Sequence, residues 1–140
     1  MRLKPIVTLA GCVCIPMFAA SLPAHHGYAA YDMTKTVSVK GTVTSYRMAN
    51  PHGSIALDVQ DEHGSTVHWI LETGATVHLM KEQGFKQDTL KPGDSVTVIF
   101  NPAKDPSRHS GVFKQVELAD GEVFPKTSSV GANVSASPAP

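Results

Sequence analysis

No cysteine follows Cys14 in this 140-residue sequence. A chain processed beyond that point has no disulfide, no thiolate nucleophile and no zinc–thiolate site. A small exported domain of that kind has to rest on its apolar core alone. Excess charge is also missing: twelve basic and twelve acidic residues balance to zero, and no basic stripe stands out. Nucleic-acid binding needs a clustered positive face, so it is set aside. There is no phosphate loop of the Gly-Lys-Ser/Thr kind, and no Ser/His/Asp set has a recognisable local context. No catalytic constellation is visible, and the expectation is a protein that is not an enzyme. What the sequence does have is histidine. All seven lie beyond residue 24.

The first two dozen residues read as an export signal. Arg2 and Lys4 form a positive start, and Ile6 through Ala20 is apolar and uncharged. The run is short for a membrane span and broken by Pro16. Cleavage after Ser21 or after Ala24 suits the small residues there. Leu9-Ala10-Gly11-Cys12 also has the form of a lipobox, which would anchor the chain through a lipid on Cys12. The apolar stretch before Cys12 is short for that role, and apolar residues continue past it. The expected location is periplasmic or secreted, with no transmembrane span in the mature chain.

The rest divides into an arm (25–36), a domain (37–125) and a tail (126–140). Val37, Val39, Gly41 and Val43 alternate with polar residues, the two-residue period of a half-buried strand. Gly41 suggests a bend there. Asn50-Pro51-His52-Gly53 is a turn. Ile55, Leu57 and Val59 form a second alternating run, and Asp61-Glu62-His63-Gly64 a polar hairpin turn. In the third run Val67, Trp69 and Leu71 make one face, and Thr66, His68, Ile70 and Glu72 the other. Val77, Leu79, Met80 and Gln83 fit a short helix, with Thr76 or Thr73 as its cap and Gly84 just past its end. Leu90-Lys91-Pro92-Gly93-Asp94 is a turn. Val96, Val98 and Phe100 mark a fourth strand. Val112 to Leu118 is a fifth, and the Asp120-Gly121 hairpin leads to a short return strand at Val123-Phe124. The tail is rich in Ser, Ala, Gly and Pro and has little to bury, so it is expected to be disordered.

Three strands, one helix and two strands is the order of an OB-type barrel. The predicted fold is therefore mostly β, a small five-stranded OB-like barrel with one short helix between strands three and four. A small open β-sandwich is the alternative.

The motifs resemble those of a family of small exported bacterial proteins of unknown function (domain of unknown function 6152). They are His25-His26-Gly27-Tyr28, Tyr31-Asp32, Gly41-x-Val43, Asn50-Pro51-His52, Trp69 with Glu72 downstream, and Leu90 to Asp94. The resemblance runs from about His25 to Phe124. It departs from the family where Met48-Ala49 precedes, and Gly53-Ser54 follows, the Asn-Pro-His triplet. It implies an exported OB-like domain and no particular activity.

In an up-down-up meander, strand one ends near His52 and strand three near Glu72, at the same pole. His63 falls at the other pole. His68 shares a face with Glu72 but lies about 13 Å away at strand rise, too far to act with it as an acid–base pair. The arm has enough slack to bring His25 and His26 to the His52 pole. A metal site of His25, His26, His52 and Glu72 is the resulting expectation, and imidazole with carboxylate suits copper(II), nickel or zinc. After cleavage at Ala24 the free amine of His25 would join its ring as a chelate. The competing expectations are plainer: His52 caps its turn, Glu72 accepts from the start of the helix that follows, and Trp69 plugs the core. His78 is expected on the helix surface and His109 in a loop. Three functions remain open: a non-enzymatic domain binding a small-molecule ligand, a metal ion or an envelope protein; a copper- or zinc-handling protein; and a structural module.

Overall fold

The computed structural model describes residues 28–126 and the backbone of 137–138. The leader, His25, His26 and the rest of the tail lie outside the described residues. Five strands close into a barrel: β1 (Val37–Arg47), β2 (Ser54–Gln60), β3 (Thr66–Thr73), β4 (Ser95–Pro102) and β5 (Ser110–Leu118). One short helix, α1 (Val77–Glu82), joins β3 to β4. The sheet order is β2-β3-β5-β4-β1, and β1 pairs with β2 to complete the ring. A two-residue strand, β6 (Val123–Phe124), pairs with β5. Another, β7 (Ser137–Pro138), runs parallel to β1 at Val37–Ser38. No helix among the described residues is long and apolar enough to cross a membrane.

The alternation read from the sequence is what fills the barrel. Val43, Ile55, Leu57, Leu71, Val96, Val98, Phe100 and Val116 are all essentially inaccessible. On β3 the inward face is Val67, Trp69 and Leu71, while Thr66, His68, Ile70 and Glu72 are exposed. Trp69 is 8% exposed and packs on Phe100 at 5.1 Å between ring centres, so the core-plug expectation holds. Gly111 is where the barrel is tightest. A Cβ there would come within 2.3 Å of the Phe100 ring and 2.7 Å of Asn101 O.

β1 does two jobs. Its first half pairs with β4 and its second half with β2. The expected bend at Gly41 is seen as close approach: a Cβ at 41 would lie 2.7 Å from Asp58 O. The register shift itself falls later, between Val43 and Ser45. It changes which side chains face inward beyond Val43, and Tyr46 turns its ring toward Phe85. β5 likewise starts at Ser110, two residues before the predicted Val112, because its parallel pairing with β3 begins there.

α1 covers one end of the barrel through Met80, 1% exposed. Thr76 caps it, accepting from Leu79 N–H at 3.4 Å, and Gly84 (φ +89°) follows its end. Asn50 Oδ1 accepts from Val77 N–H at 3.0 Å. The helix start is therefore served by Thr76 and Asn50. Glu72 does not accept from it, which corrects the plainer expectation for that residue: Asn50 approaches from the β1–β2 turn and takes the N–H.

Leu71→Ala should cost about 2–5 kcal/mol, the usual range for emptying a filled core site, and Asn50→Ala about 1 kcal/mol for the lost cap. Urea unfolding of both variants checks the ranking.

Candidate functional site: the helix-capped pole

The pole covered by α1 is built on one doubly bonded step. Gly53 N–H donates to Thr73 Oγ1 at 2.8 Å, and Thr73 N–H donates to Gly53 O at 3.0 Å. Thr73 is 2% exposed, so its hydroxyl serves the fold and not solvent. A Cβ at Gly53 would meet Arg47 O at 2.5 Å and Thr73 Oγ1 at 3.0 Å. This is the physical reason for glycine after His52. From that step the register sets Ser54 opposite Glu72, and Arg47 opposite Ser54.

The sequence placed His52 and Glu72 at one pole, and both are there. Both are exposed. His52 lies in the β1–β2 turn, two residues before Ser54, the ladder partner of Glu72. No group of three or more His, Cys, Asp or Glu among the described residues could hold a metal ion. His25 and His26 lie outside the described residues.

Tyr31 is the partner of Glu72 that sequence reasoning missed. The arm is more than an extended lead-in. Tyr31 bridges Ala103 and is 7% exposed. Asp32 N–H donates to Pro102 O at 2.8 Å, Lys104 N–H to Ala30 O at 2.9 Å, and Asn101 Nδ2 to Lys35 O at 2.5 Å. The arm is thus fastened along the β4–β5 loop. Burial, and then the Glu72 carboxylate beside it, raise the Tyr31 phenol above its ordinary value, while Ser110 and Arg108 pull it down. Tyr28, one turn earlier, lies over Gly74: a Cβ there would be 2.5 Å from the Tyr28 hydroxyl. The only sequence signal for this docking was an aromatic residue before Asp32, and no local periodicity reports such a contact.

The remaining histidines separate cleanly. His63 sits in the β2–β3 turn, and His78 is on the helix surface, 3.4 Å from Glu82. His68 pairs across the strands with Asp58 at 2.5 Å, not with Glu72. His109 is in the β4–β5 loop as expected, but its ring stands edge-on to Trp69 at 5.2 Å.

Under the helix, the Tyr46 hydroxyl is buried and has no hydrogen-bond partner among the described residues. Burial pushes its phenol well above the ordinary range.

Fold and pole together define a closed five-stranded OB-like barrel with an aromatic-anchored arm leading to one end. Residues 12–113 match the family of unknown function DUF6152, and the chain belongs to that family. No curated protein matches it. Among solved structures, the mitochondrial single-stranded DNA-binding protein Rim1 from S. cerevisiae is similar at 15% identity and a TM-score of 0.45, covering 61% of this chain and 94% of its own.

Tyr46→Phe removes an unsatisfied buried hydroxyl and should be neutral or stabilising by up to about 1 kcal/mol. At high pH the sign is fixed. The unfolded phenol releases its proton near pH 10 while the folded one holds it, so stability falls as pH rises from about 10. Tyr46→Phe should flatten that fall, as followed by denaturant midpoints between about pH 9 and 11.

Proposed function

We propose that this chain is an exported, non-enzymatic OB-like binding domain, and that its ligand is a copper or zinc ion held by His25, His26, His52 and Glu72. The docked arm is the observation that supports this reading. Tyr31 sits beside Glu72, and Tyr28 lies over Gly74, two residues past Glu72. Chain length back from Tyr28, at most about 7 Å to His26 and about 11 Å to His25, allows both histidines to reach the pole where His52 and Glu72 are exposed. His52 and Glu72 do not form a site by themselves, so the arm is essential to the reading. Three imidazoles and a carboxylate without thiolate are a donor set for copper(II) or zinc. Residues 1–24, with their charged start and apolar run, support export.

The outer face of β2–β3 bears on nucleic acid. On barrels of this kind that face binds oligonucleotides, using stacked aromatics and a positive groove. Here it carries Ser54, Ala56, Asp58 and Gln60 against Thr66, His68, Ile70 and Glu72. It has two acids and no Phe, Tyr or Trp, which favours a partner other than nucleic acid.

Calorimetric titration of the untagged mature protein with copper(II) and zinc tests the proposal. His25→Ala/His26→Ala/His52→Ala should weaken binding at least tenfold, and Glu72→Gln by a few-fold, with circular dichroism unchanged. Equal affinity in native and triple-variant proteins would overturn it.

A further inference from the structure

The pole opposite α1 is not closed. β1 pairs with β4 along Val37–Thr42, but β2 joins its other edge only from Thr42 onward. Near Gly41 the two strands are in contact, with a Cβ position 2.9 Å from a Val59 methyl. Before that point they diverge, and β1 has no neighbouring strand on that side from Val39 to Gly41 among the described residues. The divergence opens a seam of about 270 Å³ between Ser38–Lys40 and the end of the β2–β3 hairpin. Its apolar lining comes from Val39, Val59, Val67 and Trp69, with Lys40 and Glu62 on its margins. A cavity of about 150 Å³ admits benzene, so this seam holds a branched or ring-sized side chain.

A strand edge and an apolar slot side by side are the two parts of peptide capture by strand addition. Backbone hydrogen bonds supply affinity, and alternate side chains fill the pocket. A second observation identifies the kind of occupant. Ser137–Pro138 of this same chain already pair with Val37–Ser38, in parallel, on this very edge. That pairing shows the edge accepting an extended segment in parallel up to Ser38, which also lines the seam.

We propose that the β1 edge from Val37 to Lys40, with the seam beside it, is a peptide-binding site. It takes an extended segment of small residues running parallel to β1, with one apolar side chain placed in the seam against Trp69. The bound segment extends the sheet on the side where β2 is absent. An unpaired strand edge is otherwise a liability that proteins cover. The short self-pairing at Ser137–Pro138 covers part of it in the free protein and yields to a longer segment. The site lies at the pole away from His52 and Glu72, so it stands or falls separately from the metal reading.

Trp69 is the sole tryptophan, so its emission reports the seam directly. The test uses the full mature chain and a synthetic peptide, Ser-Ala-Ser-Pro-Val-Ser-Ala, whose Val falls opposite Val39 when its Ser-Pro takes the place of Ser137–Pro138, with a second peptide of the same sequence N-methylated at every non-proline amide after the first residue. The unmodified peptide should shift Trp69 emission saturably at or below about 1 mM. It should also slow hydrogen exchange of the free-edge amides within Ser38–Lys40 at least tenfold. The methylated peptide, which cannot pair, should bind at least tenfold more weakly. No saturable change with the unmodified peptide overturns the proposal. So does an equal response to both peptides, which would mean that the seam takes side chains without strand addition.

Discussion

The pair of hydrogen bonds between Gly53 and Thr73 is the constraint on which the helix-capped end of this barrel depends. It requires a residue without a side chain at 53, because Arg47 O and Thr73 Oγ1 crowd the position where a Cβ would sit. It requires a β-branched hydroxyl at 73, buried to 2% exposure, to receive the Gly53 amide. A buried polar group of this kind is stable only when its hydrogen-bonding capacity is used. With the step in place, β2 starts and β3 ends at one level, and Ser54 faces Glu72. Asn50, just upstream, comes within reach of the first amide of α1.

The consequence is a pole made from four separate parts of the chain: the β1–β2 turn, the end of β3, the start of α1 and the docked arm. None is held by covalent cross-links. The arm is fastened by backbone bonds to Pro102 and by the Asn101 side chain, and it brings Tyr31 against Glu72. The Tyr31 phenol, its pKa raised by burial and then by Glu72, is neutral and is a hydrogen-bond donor for that carboxylate, while Ser110 and Arg108 act in the opposite direction.

The barrel was legible because its strands obey a strict two-residue period and its turns are built from residues with narrow conformational preferences. Ile55, Leu57, Trp69, Leu71, Val96 and Val98 all point inward as their alternation requires. Thr76 and Gly84 bracket α1 as expected. The misses share a cause. Tyr46 escaped because a register shift at Val43–Ser45 reverses the inward and outward sides beyond it. Ser110 and Gly111 escaped because parallel pairing with β3 calls on their backbone, and the Phe100 ring on the absence of a side chain at Gly111. Tyr31 and His109 find their partners, Glu72 and Trp69, through tertiary packing that no local pattern encodes. His52 and Glu72 could be assigned to one pole from chain direction alone, and the arm's reach to that pole from its length, whereas the docking of Tyr31 beside Glu72 and of Tyr28 over Gly74 could not.

The central claim is that the arm and the barrel share one ligand at this pole. Electron paramagnetic resonance of the copper(II)-loaded mature protein tests it directly, through the nitrogen hyperfine structure. The account predicts a single copper species with nitrogen ligands from the arm and from the barrel, one of them lost in His52→Ala. An identical nitrogen pattern in native and His52→Ala proteins would contradict it.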